Sequence, residues 1–295
     1  MADRLVTVFG GTGFLGSRVV RRLLTQGTPA RIAARHPRAD GPPAVPFLAT
    51  DIGSDAAVAA ALAGAAGAVN AVGLYVERGA DTFAAVHVAA AERIARAARR
   101  AGLERLVHVS GIGADAASPS PYISSRGQGE RAVRTAFPDA IIVRPAVMFG
   151  RDDALISTLA NLVRRLPAIP LFGSGRTRLQ PVSVDDVAAA IVRSLDPQTA
   201  RATTYELGGP RVYTYAELIG AVAGRLGRHP LLLPLPFAFW HAAARMAELL
   251  PGAPLSRGQV ALMRGDSTAA ATLPGFAALG IAPQSLEQAL AELLA

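Results

Sequence analysis

Short apolar runs alternate with segments of helical periodicity along most of the chain. Apolar runs of strand length predict β-strands, and apolar residues spaced three and four apart predict amphipathic helices. The predicted strands are Leu5–Phe9, Ala30–Ala34, Ala68–Val72, Arg105–Ser110, Ala140–Val147 and Thr204–Leu207. The predicted helices are Phe14–Gln26, Asp55–Ala63, Asp81–Ala101, Pro121–Ala136, Ala154–Leu166, Val184–Leu195, Tyr215–Leu226 and Ser285–Leu294. Because strands and helices alternate, we expect an α/β fold with a doubly wound parallel sheet that helices cover on both faces.

The regular alternation ends near residue 165. A long, turn-rich connection is predicted there from Pro167, Pro170, Gly173 and Gly175. We therefore predict a first domain over residues 1–210, with an insertion at about 148–180, and a smaller α-rich part over 211–295. In doubly wound folds ligands bind outside the carboxyl ends of the strands, and we expect the C-terminal part to face the substrate there.

The composition excludes several kinds of chemistry. The chain of 295 residues contains no cysteine and no lysine, so all 30 of its basic residues are arginines. Disulfides, thiolate metal sites and cysteine nucleophiles are excluded, as are a Schiff-base lysine and the lysine of a P-loop. The five histidines show no metal-ligand spacing, so no metal site is predicted.

The net charge of +8 would suit an anionic partner. The arginines, however, are scattered over predicted helices without the interleaved aromatic residues that stack on bases, so we expect no nucleic-acid binding. The N-terminus begins directly with a strand-like segment. The most apolar stretch, residues 231–240, contains two prolines and is about half the length of a membrane span. These features predict a cytoplasmic protein without a transmembrane segment.

An aromatic group in the C-terminal part leaves alternatives open. Phe237, Phe239 and Trp240 precede a predicted helix that contains Arg245. These rings suit a buried core or the lining of a substrate pocket. They also suit an amphipathic surface for a respiratory-chain complex or for the inner face of a membrane.

A glycine-rich loop separates the first predicted strand from the first predicted helix. Its residues are Gly10, Gly11, Thr12, Gly13, Phe14, Leu15 and Gly16. Gly10 allows a tight turn, Gly13 lets the backbone approach a pyrophosphate, and Gly16 lets helix and strand pack closely. The helix N-terminus then offers N–H groups to the phosphates. In this strand–loop–helix context the pattern predicts a dinucleotide site in a Rossmann-type fold.

The end of the second strand favours NADP(H) over NAD(H). An NAD site places a carboxylate about 20 residues after the loop, where it binds the 2′-hydroxyl of the adenosine ribose. Here the strand is followed by Arg35, and no carboxylate occurs between Asp3 and Asp40. An arginine suits the 2′-phosphate of NADP, although it could also be an ordinary exposed residue. Further residues expected beside the dinucleotide are Asp51, Ile52, Asn70, Ala71, Val72 and Pro145.

A serine, a tyrosine and an arginine follow at a spacing that suggests chemistry. Ser110 ends a predicted strand on the expected cofactor side. Tyr122 lies twelve residues later, directly after a Ser–Pro pair that begins a helix, and Arg126 lies on the same helix face. Gly127 and Gly129 interrupt this helix, which suggests close packing against a helix or the cofactor, or simple tolerance of glycine.

At this point the sequence resembles the short-chain dehydrogenase/reductase superfamily, in its extended and atypical branches. Its members use Ser and Tyr-x-x-x-Lys to move a proton while NAD(P) moves a hydride. A closer resemblance, carried by residues 130–149, is to the branch of NAD(P)H-binding accessory subunits of respiratory complex I and their bacterial relatives. The matching segments are Gly10–Gly16, His108–Asp115, Tyr122–Phe149, Gln180–Val187, Tyr205–Gly209 and Tyr213–Leu218.

The resemblance implies two alternative functions. In the first, NADP(H) is a structural or sensory group in an accessory or assembly factor near the respiratory chain. In the second, an NADPH-dependent reductase or epimerase, Tyr122 donates the proton to a small carbonyl or sugar-derived substrate, Ser110 orients that substrate and Arg126 holds the nicotinamide ribose. Arg126 stands where catalytic members have lysine. It keeps the charge, but its guanidinium is planar and bulkier. Because the chain contains no lysine anywhere, this substitution discriminates poorly, and we favour the first function.

Overall fold

The computed structural model describes residues 4–37, 45–199, 203–248 and 257–294. The strands are β1 (Val6–Phe9), β2 (Ala30–Ala34), β3 (Phe47–Ala49), β4 (Gly67–Asn70), β5 (Arg105–Val109), β6 (Ile141–Pro145), β7 (Met148–Phe149), β8 (Ala168–Phe172), β9 (Arg178–Leu179), β10 (Val182–Ser183), β11 (Thr204–Leu207), β12 (Tyr213–Thr214) and β13 (Leu231–Leu235). The α-helices are α1 (Phe14–Thr25), α2 (Asp55–Leu62), α3 (Ala91–Arg100), α4 (Pro121–Ala136), α5 (Ala154–Arg165), α6 (Val184–Ser194), α7 (Tyr215–Arg225), α8 (Phe237–Ala247), α9 (Arg257–Leu262) and α10 (Leu286–Leu293). A π-helical segment, Ala84–Ala90, leads into α3, and a 3-10 turn covers Phe276–Leu279.

The chain divides into two units. The first contains Met1–Pro145, Val184–Leu207 and Ala270–Ala282, and the second contains Ala146–Ser183, Gly208–Ala269 and Pro283–Ala295. The segment predicted as an insertion of the first domain thus groups with the C-terminal part. The reason is a shared core, in which α5 and β8 pack with α7 and α10 through buried apolar side chains.

Seven parallel strands form the sheet of the first unit. Their order is β11-β6-β5-β4-β1-β2-β3, and every neighbouring pair is parallel. A parallel sheet is buried on both faces, which is why β1, β4 and β5 consist almost entirely of buried residues. The predicted fold class, a Rossmann-type doubly wound sheet, is confirmed.

Small and branched apolar side chains join the helices to this sheet. Val58 of α2, Ile94 of α3 and Val133 of α4 are buried in one cluster with Phe9 and Leu106 of the strands. Helix α1 packs against α6 and buries its own apolar stripe. The parallel strands of the sheet are therefore packed against helices that bury their apolar side chains on it.

Two strands of the second unit lie where the sequence analysis predicts no strand. β8 lies within the predicted turn-rich connection, and β13 lies within an apolar stretch that is assigned to no element. β8 pairs in parallel with β13, so that Pro170 lies opposite Leu233 and Pro234 lies opposite Leu171. The two strands form a two-stranded sheet, in which each has one unpaired edge. Proline fits there because its nitrogen, which carries no hydrogen, can face away from the partner strand. The predicted turn-rich connection is thus wrong over residues 168–172.

The aromatic group of the second unit also differs from the prediction. Phe237, Phe239 and Trp240 form the first turn of α8 instead of preceding a helix. The indole N–H of Trp240 donates to the carbonyl of Leu171, and the indole packs on Phe172. Phe239 is 53% exposed, so the expectation of core burial is wrong for this ring. Among the helices of the described ranges, none is long and apolar enough to cross a membrane.

The third predicted helix begins later than expected. Asp81 forms an isolated β-bridge with Arg78, and helical structure begins at Ala84 with the π-helical segment. Segments with π-helical hydrogen bonds occur frequently at functional sites. In this protein the segment carries His87, which contacts the candidate site described below.

A buried ion-pair network joins three elements of the first unit. The guanidinium of Arg144 on β6 makes hydrogen bonds of 2.8 and 2.7 Å to the carboxylate of Glu130 on α4. A third bond of 3.1 Å reaches Glu206 on β11. Both glutamate side chains are 6% exposed. The hydrogen bonds to Glu130 raise the pKa of Arg144 above its ordinary value, so Arg144 stays charged.

Replacing Arg144 should destabilise the protein strongly, because two buried carboxylates lose their shared cation. We expect the free energy of unfolding to fall by about 3–5 kcal/mol in Arg144→Ala. Arg96→Ala is the matched control, since Arg96 pairs with Glu92 and Asp55 at the surface, where such pairs contribute about 1 kcal/mol or less. Denaturant unfolding measures both losses. If both variants lost the same free energy of unfolding, burial would not be what makes the Arg144 network strong.

Candidate functional site

The glycine-rich loop makes the close backbone contacts that a phosphate-binding turn requires. Gly10 has a φ of +75°, a conformation that favours glycine. A Cβ atom on Gly16 would lie 2.1 Å from the carbonyl oxygen of Gly10, so α1 can approach β1 this closely only with glycine at that position. A Cβ atom on Gly13 would meet only this carbonyl oxygen, at 3.2 Å, and Gly13 is exposed. The loop therefore presents open backbone at Gly13.

The N-terminus of α1 suits an anion. Gly13 is the N-cap residue, no side chain of the described residues caps the helix, and its first turn contains no acidic residue. The N–H groups of this turn carry the positive end of the helix dipole. Thr12, Phe14 and Leu15 lie beside the cap, as the glycine pattern predicts. These features fit the pyrophosphate of a dinucleotide.

Arg35 directly follows β2 and pairs with a carboxylate. Its Nη1 lies 2.8 Å from Oδ2 of Asp81, and the two side chains are 64% and 44% exposed. Nothing in the local sequence indicates this pair, because the two residues are 46 positions apart. An exposed pair of this kind contributes about 1 kcal/mol or less. The region expected to receive the adenosine ribose thus contains a cation and an anion.

The other residues predicted beside the dinucleotide lie along the carboxyl edge of the sheet. Asp51 accepts a hydrogen bond from the backbone N–H of Gly53 through Oδ1. Asn70 is buried at the end of β4, where its Oδ1 accepts from the N–H of Val72 and its Nδ2 lies 3.1 Å from Nδ1 of His108. The remaining members end or closely follow β3, β4 and β6: Ile52, Ala71 and Pro145.

The Ser–Tyr–Arg set converges at the same edge. Ser110 directly follows β5 and is 4% exposed, and its Oγ has no hydrogen-bond partner. Arg126 is 8% exposed, and its Nη1–H donates to the carbonyl of Val109, whereas its Nε–H has no partner. Its guanidinium carbon lies 5.3 Å from the centre of the Tyr122 ring. Buried polar atoms normally have partners, so these two fit a bound polar ligand.

Three aromatic residues that sequence reasoning missed surround Tyr122. Tyr75 stacks on its ring with centroids 5.5 Å apart, and Phe83 and His87 contact it edge to face at 5.6 Å each. Tyr75 itself is 62% exposed. All three lie on the chain between β4 and α3, with no regular spacing to the Ser–Tyr–Arg set, so no local signal marks them. We call these three residues the aromatic cluster.

His87 connects the chain after β4 to α4. Its Nε2 accepts the backbone N–H of Leu74 at 3.1 Å, so in the neutral ring Nδ1 carries the proton and donates to Oγ of Ser125 at 2.9 Å. Ser125 donates in turn to the backbone carbonyl of Tyr122. Burial, together with the charge of Arg126, lowers the pKa of His87 to about 3. His87 is therefore neutral at pH 7.

His108, which the sequence predicts to be a structural strand residue, is buried and neutral as well. Burial lowers its pKa to about 3, and the charge of Arg126 adds to the effect. With both imidazoles neutral, Arg126 provides the positive charge of this region. Within the described ranges, no three His, Cys, Asp or Glu side chains cluster as metal ligands would.

The two buried histidines should make the protein sensitive to acid. The unfolded chain binds their protons below the ordinary pKa of 6.5, so their contribution is complete above that pH and is lost as the pH falls toward 3. Between pH 7 and pH 5 we expect His87→Gln to lose about 2 kcal/mol less unfolding free energy than the wild type. Urea unfolding at both pH values measures this difference.

An exposed histidine provides the control for that experiment. His229→Gln makes the same substitution at a histidine that is exposed. A pH dependence in His87→Gln equal to that of the wild type would contradict a neutral, buried His87.

Close packing explains the two glycines in α4. A Cβ atom on Gly129 would lie 2.1 Å from the carbonyl oxygen of His87, and one on Gly127 would lie 2.2 Å from the backbone nitrogen of Ala116. Helix α4 therefore contacts the π-helical segment and the loop after β5 directly through its backbone. The predicted close packing against a helix is confirmed, and it brings Tyr122 and its helix face to the strand ends.

Comparison with known proteins identifies the family. The profile of the NAD dependent epimerase/dehydratase family matches residues 6–208, which include the glycine-rich loop and the Ser–Tyr–Arg set. The chain belongs to this family. Membership supports the binding of a nicotinamide dinucleotide and confirms the resemblance to extended short-chain dehydrogenases/reductases.

Two relatives and one solved structure show what this family member is similar to. It is 35% identical over 257 residues to NADH dehydrogenase (ubiquinone) 1 alpha subcomplex subunit 9, mitochondrial, of Arabidopsis thaliana. This alignment covers 83% of this chain and 64% of the Arabidopsis protein. It is 33% identical over 245 residues to ceramide reductase of Caulobacter vibrioides, in an alignment that covers 80% of this chain and 74% of the reductase. UDP-glucose 4-epimerase of Thermus thermophilus, in complex with NAD, has the same fold, with a TM-score of 0.65 and 22% identity over 79% of this chain and 86% of that one. The similarity to the Arabidopsis subunit confirms the resemblance to the accessory-subunit branch.

Proposed function

We propose that the protein holds NADP(H) at the carboxyl edge of its parallel sheet and acts as an accessory or assembly factor linked to the respiratory chain. The packing around Tyr122 carries this proposal. The three rings of the aromatic cluster contact the ring of Tyr122, and Arg126 stands in place of the lysine of catalytic relatives. A tyrosine packed among aromatic rings beside a buried arginine favours a held nucleotide over rapid turnover.

The residues of the site match the parts of a dinucleotide. The open backbone at Gly13 and the N-terminus of α1 would bind the pyrophosphate. Ser110 and Arg126, each with a buried polar atom that lacks a partner, would bind polar groups of the nicotinamide half. When bound, the nicotinamide ring supplies or accepts a hydride.

Arg35 supports the preference for NADP(H). Its guanidinium is exposed at the end of β2, and its ion pair with Asp81 is weak enough to be exchanged. A 2′-phosphate carries more negative charge than a carboxylate and accepts several hydrogen bonds from a guanidinium. The phosphate would therefore replace Asp81 as the partner of Arg35.

The proposed link to the respiratory chain is supported by a relative and by physical reasoning. The Arabidopsis relative is by name a subunit of NADH dehydrogenase, and its similarity extends over 83% of this chain. A nucleotide that binds only the folded state stabilises it. Such stabilisation suits a subunit that takes part in assembly, because only the folded subunit then carries the nucleotide.

A second relative favours a second candidate function. Ceramide reductase, 33% identical, is by name an enzyme that reduces a substrate. In an NADPH-dependent reductase or epimerase, Tyr122 would donate the proton to a small carbonyl or sugar-derived substrate and Arg126 would hold the ribose. The unpartnered Oγ of Ser110 would then donate a hydrogen bond to the carbonyl oxygen.

The nucleotide preference can be tested at the ion pair of Arg35. Arg35→Ala should weaken NADP binding by about 1.5–3 kcal/mol and leave NAD binding nearly unchanged, because it removes a charge-assisted bond to the 2′-phosphate. Asp81→Asn should strengthen NADP binding, since it frees Arg35 from its competing partner. Titration calorimetry with both nucleotides measures these effects. Unchanged NADP affinity in Arg35→Ala would assign Arg35 no role in nucleotide binding.

The choice between holding and turnover can be tested at Tyr122. If the nucleotide is held, NADPH oxidation with a panel of carbonyls and quinones stays at background in the wild type, and NADPH raises the melting temperature of wild type and Tyr122→Phe equally. If the protein is a reductase, Tyr122→Phe lowers turnover by about 10²–10⁴-fold at unchanged NADPH affinity, because it removes the proton donor. Tyr215→Phe, which alters a buried tyrosine of the second unit, is the control for loss of a phenol. Turnover that falls only in Tyr122→Phe would replace the accessory role by the reductase.

A further inference from the structure

A short exposed turn lies in the chain between β4 and the π-helical segment. The backbones of Arg78 and Asp81 exchange two hydrogen bonds of 3.0 Å, and Gly79 between them has a φ of +56°. Residues 75–80 are all exposed. We call residues 78–81 the tip. In the described part of the chain, the backbone hydrogen bonds of the tip stay inside residues 77–83, so its attachment to the rest of the first unit depends on side chains.

The two ends of this segment are fixed beside the candidate site. The N–H of Leu74 donates to Nε2 of His87 at 3.1 Å, and the N–H of Phe83 donates to Oε1 of Glu77 at 2.7 Å. The ring of Phe83 also stacks on His87, with centroids 5.4 Å apart. These contacts hold the beginning and the end of the segment and do not involve the tip.

An ion pair joins the tip to the end of β2. Oδ2 of Asp81 lies 2.8 Å from Nη1 of Arg35, and both side chains are exposed. Water screens a pair of this kind, so the pair favours the attached tip over the detached tip by about fivefold or less. A 2′-phosphate carries up to two negative charges and accepts several hydrogen bonds from a guanidinium. It therefore competes effectively with the single carboxylate of Asp81 for Arg35.

We propose that the tip is a switch that distinguishes NADP from NAD by the 2′-phosphate. Without nucleotide, or with NAD, Asp81 pairs with Arg35 and the tip stays attached. With NADP, the 2′-phosphate takes the guanidinium and the tip is released. The surface of the first unit then differs between the two nucleotides, which is what a sensory role of the nucleotide requires. This inference rests on the proposed function for the binding of NADP at Arg35.

Limited digestion with trypsin tests the switch, because the exposed tip contains Arg78. When opening is fast relative to cleavage, the cleavage rate follows the population of the open form. In the wild type, saturating NADP should raise the rate of cleavage after Arg78 about threefold to fivefold, and saturating NAD should leave it unchanged. Asp81→Asn should show the raised rate without nucleotide, and NADP should add nothing to it. Mass spectrometry of the fragments identifies the cleaved bond.

A control variant and a pair of control ligands are matched to this experiment. Asp55→Asn breaks another exposed ion pair of the first unit, with Arg93, and should keep the wild-type rates. Adenosine 2′-monophosphate should act like NADP, whereas adenosine 5′-monophosphate, which carries the same charge, should act like NAD. Asp81→Asn should also strengthen NADP binding by about the factor by which it raises the cleavage rate, because both quantities follow the population in which Arg35 is free.

Each outcome decides the proposal. Cleavage after Arg78 that is equally fast with NADP and NAD in the wild type, or slower with NADP, would overturn it. A wild-type rate in nucleotide-free Asp81→Asn would overturn it as well. If the protein binds no NADP, the proposed function fails, and the two adenosine monophosphates still decide whether a 2′-phosphate releases the tip. Equal rates with these two ligands would then overturn the switch.

Discussion

Backbone contacts that leave no room for a Cβ atom hold the candidate site together. At Gly16, helix α1 meets the turn after β1, and at Gly129, helix α4 meets the carbonyl of His87. These contacts bring an uncapped helix N-terminus and the face of α4 that carries Tyr122 to the same edge of one parallel sheet. A side chain at either glycine would move a whole helix, so the geometry of the site depends on contacts between main chains.

Electrostatics at this edge follow from burial. Burial, together with the charge of Arg126, lowers the pKa of His87 and of His108 and keeps both rings neutral at pH 7. A neutral His87 can accept the N–H of Leu74 and donate to Ser125 at the same time, which a protonated ring could not do. The hydrogen bonds that connect the chain after β4 to α4 therefore require a neutral His87. Burial and the nearby charge of Arg126 both favour this neutral form.

The same arrangement bears on what the site does with a nucleotide. The match to the NAD dependent epimerase/dehydratase family covers the part of the chain that contains the loop, Ser110 and Tyr122. The aromatic cluster and the buried guanidinium contact Tyr122, which is half-buried. One common scaffold can in this way serve either for catalysis or for holding a nucleotide, depending on the few side chains around the tyrosine.

The sequence by itself determined the features that depend on local patterns. The alternation of apolar runs predicted the parallel sheet, the spacing of Gly10, Gly13 and Gly16 predicted the loop, and the spacing of Tyr122 and Arg126 predicted a shared helix face. Only the tertiary structure decided the pairing of β8 with β13, the ion pair of Arg35 with Asp81 and the aromatic cluster. These features join residues that are distant along the chain. Periodicity reports which face of an element is buried, whereas the partner that buries it is set by packing between elements.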